Sequence, residues 1–417
     1  MAAPVAEAAP PSRWSLRSLD VARGAAIVAL LAVPVSTALV STACGVLLLS
    51  LLASGRLVVV VRDAFRQPLG RAIVIFFAVV ALGMLYGDVP WRERIDSLWS
   101  WRKLVYGFLL LGLFGAIAWK RRAAWAMAAF CAAGVIASFL AKWGALPSRP
   151  NHEPGVLFQN HTTQGMVFAV GIVCCVFLLS SSAPRVRLAL GGVALILAAN
   201  ILFVSPGRSA YLVLAVIPVM AGIWRFGMAR APAVLAGVIV LCAGAYVISP
   251  LVRDRVDLAL HEVTTHREAA QLTSVGFRAV VYANTLELVR ARPITGYGTG
   301  SFRQTYTEHV RARYHDWRGE GTTDPHNQFL LVAMETGLIG LAAFLGVIVA
   351  GFRQARGGDV YAWIGATVLA GWVLSSLFNS HFRTFGEGHM LALMLGTMLA
   401  RPTPVRDAGG APMTDAG

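Results

Sequence analysis

The sequence predicts an all-α polytopic membrane protein with about twelve transmembrane helices and one mainly helical domain outside the bilayer. Three observations carry this reading. Hydrophobic residues make up 57% of the 417 positions, and mean hydropathy is +0.64. Charged residues are only 14%, where soluble domains carry about a quarter. Apolar runs recur at the roughly 20-residue length that a bilayer core requires.

The elements follow in order. Residues 1–19 read as a cytoplasmic tail with an Ala/Pro-rich start. Arg13, Arg17 and Arg23 precede the first apolar run, as in a signal peptide. That run continues into a second apolar segment, which favours an uncleaved first span. Residues 20–251 hold nine spans, centred near Val28, Leu48, Phe77, Leu111, Ala132, Gly171, Ala194, Val216 and Val238. The first two are separated only weakly, near Ser41. Residues 252–325 are long and polar and form the external domain. Residues 326–400 add three spans, centred near Ala342, Leu369 and Leu393, before a Pro/Gly/Asp tail at 401–417. Cys44, Cys131, Cys174, Cys175 and Cys242 all lie in apolar runs and read as buried free thiols without metal-ligand spacing.

Arginine asymmetry orients the chain. One set of alternate loops carries Arg56, Arg62, Arg66 and Arg71; Lys120, Arg121 and Arg122; Arg185 and Arg187; Arg225 and Arg230; and Arg353 and Arg356. Both termini fall on the same side, which is therefore cytoplasmic. The loop with Arg92 and Arg94 is an exception, offset by Glu93 and Asp96. The external domain and the span ends at His161, Arg208, His326 and 379–383 fall on the opposite face.

Several function classes are disfavoured. The net charge of +15 is scattered through loops, with no dense basic tract or nucleic-acid motif. No P-loop occurs, and no Asp-x-Asp, His-Glu-x-x-His or Cys/His cluster suggests a metal. Apart from Glu335, the spans read as essentially free of carboxylates, which argues against a proton-coupled transporter. A facilitator of lipid or polysaccharide transport escapes that argument.

The candidate site lies at the outer span ends. In DPHNQFLLVAMETGLIG (324–340), His326 and Asn327 stand where a polar loop becomes an apolar helix. A histidine there can titrate near neutrality and accept a proton; the bland alternative is a helix cap after Asp324-Pro325. Arg208, in VSPGRSAYLV, reads as an anion clamp at a helix start or as a snorkelling arginine. Arg278 precedes a loop with Gly296, Gly298 and Gly300, which reads as a second phosphate clamp or as turn chemistry alone. Glu335 lies about two turns deeper than His326 and would pair with a base or stay protonated. His161, Asn327, His381 and Arg383 are further candidates for substrate contacts. Cationic clamps with a histidine base suit attack on a sugar linked to a lipid diphosphate, whose leaving group needs charge stabilisation.

The run RAVVYANTLELVRARPITGYGTGSF, followed by DPHNQFLLVAMETGLIGL, resembles the core signature of the O-antigen ligase and polymerase superfamily. GRSAYL is similar to a second element of that family. The resemblance covers roughly residues 155–400, and the His-Asn and Glu-x-Gly-x-x-Gly portion is its most specific part. It implies a GT-C-type membrane glycosyltransferase of the bacterial inner membrane, with its active site facing the periplasm. The implied donor is O-antigen polysaccharide on undecaprenyl diphosphate and the implied acceptor is the lipid A-core oligosaccharide. The family works with inversion and without cofactor, metal or ATP. By the same resemblance Arg208 and Arg278 hold the diphosphate and His326 is the base. Ligases, O-antigen polymerases and protein O-glycosylating transferases share the superfamily; the single moderate external domain and short C-terminal region favour ligase.

Overall fold

The computed structural model describes residues 12–147, 152–205, 207–265 and 274–402. Helices account for all the regular structure among these residues. The first hairpin is α1 (Arg13–Ala32) and α2 (Thr37–Ala53), started by Ser12 and Ser36, whose hydroxyls accept from the amides of Ser15 and Leu39. Helix α3 (Leu57–Arg66) turns 107° away from α2, and α4 (Pro68–Tyr86) opens on a proline, which needs no amide partner there. A short amphipathic α5 (Trp91–Ser100) leads into α6 (Lys103–Leu113) and α7 (Ile117–Lys142). Four apolar helices follow: α8 (His161–Leu178), α9 (Pro184–Phe203), α10 (Arg208–Phe226) and α11 (Ala231–Ile248). The polar region folds as α12 (Pro250–Thr265), α13 (Ser274–Ala291) and α14 (Phe302–Arg313). The chain returns through α15 (Gln328–Ala355), α16 (Val360–Ser375) and α17 (Phe385–Met398).

Each of the twelve expected span centres falls inside one of these helices. Only seven helices among the described residues are long and apolar enough to cross a membrane by length and composition, or eight if the bent α2–α3 pair forms one span. The difference has a physical cause. Helices α6, α16 and α17 have 11, 16 and 14 residues and lie largely inside the bundle, where neighbours rather than lipid satisfy their surfaces. Helix α1 carries Arg13, Arg17, Asp20 and Arg23 toward its start.

The helix ends sort onto two faces. On one, Gln354 Nε2 donates to Gln67 Oε1 and to the Leu399 carbonyl, both at 2.7 Å, while Gln67 Nε2 donates to the Leu111 carbonyl at 2.7 Å. Lys120 pairs with Asp359 at 3.0 Å, and Arg121, Ser182 and Tyr361 line one recess on the same face. The helix ends near residues 67, 120, 182 and 354–361 thus share a face. On the other, Tyr86 Oη donates to the Thr295 carbonyl and Ser249 Oγ donates to the Leu202 carbonyl. The polar region follows on that side. Its core of Val281, Leu288, Phe302, Tyr306 and Val310 continues into Leu331, Ala333 and Met334 of α15, so no sharp boundary falls at residue 325.

One thiol departs from the expectation: Cys242 is exposed, because α11 buries almost none of its surface. Cysteine labelling therefore needs a Cys242→Ser background. Ser301 is 1% exposed and a poor reporter, whereas Glu320 and Arg122 are exposed on opposite faces. An impermeant maleimide applied to intact spheroplasts is expected to label Glu320→Cys and not Arg122→Cys. Labelling in the reverse pattern would invert the orientation drawn from the arginines.

Candidate functional site

Five helix N-termini, that of α17 included, meet around residues 376–387. Lys103, which opens α6, donates from Nζ to the carbonyls of Arg383 and Thr384, both at 2.6 Å. Thr163, in the first turn of α8, donates to Glu387 Oε1 of α17 at 2.8 Å. Ser209 of α10 lies 3.0 Å from Asn379 Nδ2 and 2.9 Å from His381 Nε2. The Gln328 amide of α15 donates to the Ser376 carbonyl at 2.9 Å, and the Arg383 amide donates to Gln328 Oε1 at 3.1 Å. Each N-terminus contributes partial positive charge from its first amides, so this face favours an anion.

His326 sits beside this segment. Its φ is +54°, the one positive value at a non-glycine position among the described residues. Asp324 holds this conformation: its Oδ1 accepts from the His326 amide and from Ser380 Oγ, both at 2.6 Å. Tyr282 Oη lies 2.9 Å from the His326 carbonyl and 3.0 Å from that of Leu377. Strained backbone persists only where its surroundings over-determine it, and such positions cluster at functional sites. The imidazole lies near the Asn379 side chain, whose Nδ2 donates to Ser209 Oγ, beside Arg208. Burial lowers the His326 pKa below the usual histidine range. The Arg278 guanidinium pushes the same way, while Asp324 and Asn379 oppose it. The neutral ring, which can accept a proton, is favoured at neutral pH.

The other expected residues divide. Arg278, on α13, lies within electrostatic reach of His326, with Phe277 6.5 Å from the imidazole between ring centroids. Arg208 opens α10 against the first residues of α8, where Gly207 packs on the backbone of His161 and Thr162. His161 itself lies 3.6 Å from Glu153. Asn327 caps α15: its Oδ1 accepts from Phe329 and Leu330 amides at 3.0 and 3.1 Å, and its Nδ2 donates to the Leu377 carbonyl at 3.0 Å. Glu335 and Arg383 pair with each other at 3.2 Å, and Ser97 and Ser100 of α5 bond to this pair. These three side chains are engaged in holding the frame.

The glycine loop is also part of the frame. Helix α15 breaks at Gly337, where φ is +65° and ψ −166°, a region open only to glycine. Backbone groups freed at membrane depth need partners. The loop supplies them: the Tyr297 and Gly298 amides donate to the Met334 and Glu335 carbonyls at 3.0 and 2.7 Å, and the Leu338 amide donates to the Pro293 carbonyl at 2.7 Å. The Thr299 amide donates to the Gly83 carbonyl of α4 at 3.0 Å. These amides serve helix backbone, so of the two readings of this loop turn and packing chemistry describes it.

Sequence reasoning passed over the residues that tie this site together. Glu387 is a second carboxylate in the returning helices, 8% exposed, so Glu335 is not alone there. Its position in the first turn of α17, bonded by Thr163 and Thr384, was hidden because its partner on α8 lies 224 residues away. Lys103 is 1% exposed and gives no motif signal. Because Glu335 and Arg383 are a half-buried ion pair, Glu335→Ala leaves Arg383 unpaired. Thermal unfolding in detergent is expected to show a loss of about 3–5 kcal/mol; an unchanged transition would remove the pair from the frame.

Among the described residues, no three His, Cys, Asp or Glu side chains converge to hold a metal ion. No curated protein matches the chain. Residues 193–345 match the family model described as O-antigen ligase, just over a third of the chain and narrower than the stretch the motifs suggested. The match takes in Arg208, Arg278, His326, Glu335 and Gly337, and leaves out His161, His381 and Arg383. Over residues 193–345, and in the motifs that stretch encloses, the chain is thus similar to the O-antigen ligase family.

Proposed function

We propose that the protein is an O-antigen ligase of the bacterial inner membrane. It transfers O-antigen polysaccharide from undecaprenyl diphosphate to a hydroxyl of the lipid A-core oligosaccharide at the periplasmic face. The observation that carries this reading is the strained, half-buried His326 beside Arg278, on the face where five helix N-termini meet. The acceptor hydroxyl gives its proton to the His326 imidazole as its oxygen attacks the anomeric carbon. The bond to the diphosphate oxygen breaks on the opposite side, which inverts the configuration. Arg208 and Arg278 take up the charge of the departing diphosphate through forked hydrogen bonds. The site's cationic character supports turnover without a divalent ion, since arginines and helix N-termini supply the charge a metal would otherwise bring.

The test uses purified protein, lipid-linked O-antigen and rough lipopolysaccharide in excess EDTA. Polymer is expected on the lipid A-core, with the linkage inverted relative to the donor. A strict requirement for added magnesium or manganese would contradict the arginine mechanism. In cells, loss of the gene is expected to leave lipid-linked O-antigen intact and lipopolysaccharide without polymer. A single repeat remaining on the core would indicate a polymerase, the second activity of this superfamily.

A further inference from the structure

A groove of about 680 Å³ lies between α5, α14 and residues 321–323, outside the cluster around His326. Its lining is polar and includes Glu93, Arg303, Thr307, Glu308, Arg311 and Thr322. On α14 the buried row is Phe302, Tyr306 and Val310; Arg303, Thr307 and Arg311 form the next row, facing the groove. The two arginines are spaced eight residues apart, about 12 Å along the helix. Two nearby cations are neutralised: Arg313 pairs with Glu287 and Arg318 with Asp316. Neither guanidinium of Arg303 and Arg311 has an ion-pair or hydrogen-bond partner among the described residues. The groove thus sets two uncommitted cationic donors beside the carboxylates of Glu93 and Glu308, the latter also accepting from Gln304, and two threonine hydroxyls that bond local carbonyls. That mixture suits a polyol bearing anionic groups, with arginines for phosphate or carboxylate and carboxylates for hydroxyls.

Two further observations place it in the reaction. Residues 321–323 run directly into Asp324 and His326, so Thr323 lies within about 11 Å of chain from the histidine. Across the groove, α5 exposes Trp91, Ile95 and Trp99 at 56%, 53% and 63% along one face. Tryptophans on an amphipathic helix settle at the membrane interface, which sets the groove at headgroup height.

We propose that this groove binds the acceptor oligosaccharide, with Arg303 and Arg311 holding its phosphate groups. This rests on the ligase reading, and the test separates the two. The probe is core oligosaccharide released from rough lipopolysaccharide by mild acid with phosphates retained, and the same material stripped of phosphate. The protein is held in nanodiscs. The double variant Arg303→Gln/Arg311→Gln is expected to lose at least about tenfold in affinity for the phosphorylated sugar, with donor affinity within about twofold. The stripped sugar is expected to bind wild type and variant equally weakly. In transfer assays the acceptor KM rises while kcat holds. Both arginines are exposed, so the variant folds, and an unchanged melting curve checks this. Unchanged affinity for the phosphorylated sugar overturns the groove assignment even if wild type transfers polymer. Binding that depends on the two arginines without any transfer keeps the groove and overturns the ligase reading.

Discussion

His326→Ala is expected to lower transfer by about 10²–10⁴, the usual contribution of a positioned base. Binding of the lipid-linked donor should hold, because the arginines keep the diphosphate. The backbone adds a control. Alanine at a φ of +54° is strained, so part of any loss could come from the loop. His326→Gly relieves that strain while removing the imidazole, and it is expected to be as inactive as alanine. For wild type, activity should rise with pH through a midpoint below the usual histidine value of about 6.5, because burial favours the neutral ring. Turnover near wild type in the glycine variant would remove His326 from the chemistry. Lost donor binding in a folded variant would make it a ligand-binding residue.

Arg208→Lys and Arg278→Lys are each expected to lose on the order of 10²–10³ in kcat despite retaining charge, since lysine lacks the planar fork that grips two phosphate oxygens. Arg278 also carries a separate signature. Its charge helps depress the His326 pKa, so Arg278→Gln should move the acid limb of the residual rate to higher pH, and Arg278→Lys should not. If both lysine variants turned over normally at normal expression, the two arginines would be structural cations.

The apolar runs made the helical bundle readable from sequence, since burial in lipid depends on local composition. The motif around His326 was readable because its residues are contiguous. The frame was not. Asn379 acts by bonding Ser209 on α10, Lys103 by holding carbonyls 280 and 281 residues away, and Glu387 through Thr163. Such partners have ordinary neighbours in the chain, and only packing brings them together. For the same reason Asn327, Glu335 and Arg383 read as site candidates from their type and position, although their polar atoms are committed to a cap and an ion pair.

The break at Gly337 has a consequence for how the chain is assembled. Helix α4 is synthesised some 200 residues before the loop whose Thr299 hydroxyl and amide bond to its Val80 and Gly83 carbonyls. Helix α15 cannot close its own hydrogen-bond ladder until that loop has returned from the aqueous side and seated at its break. The last third of the protein therefore locks the first third. A defect at Gly298 or Gly337 would leave two half-helices with bare amides and carbonyls in the bilayer, a target for membrane quality control. At these glycines it is the amount of protein in the membrane, rather than the speed of each molecule, that registers the damage.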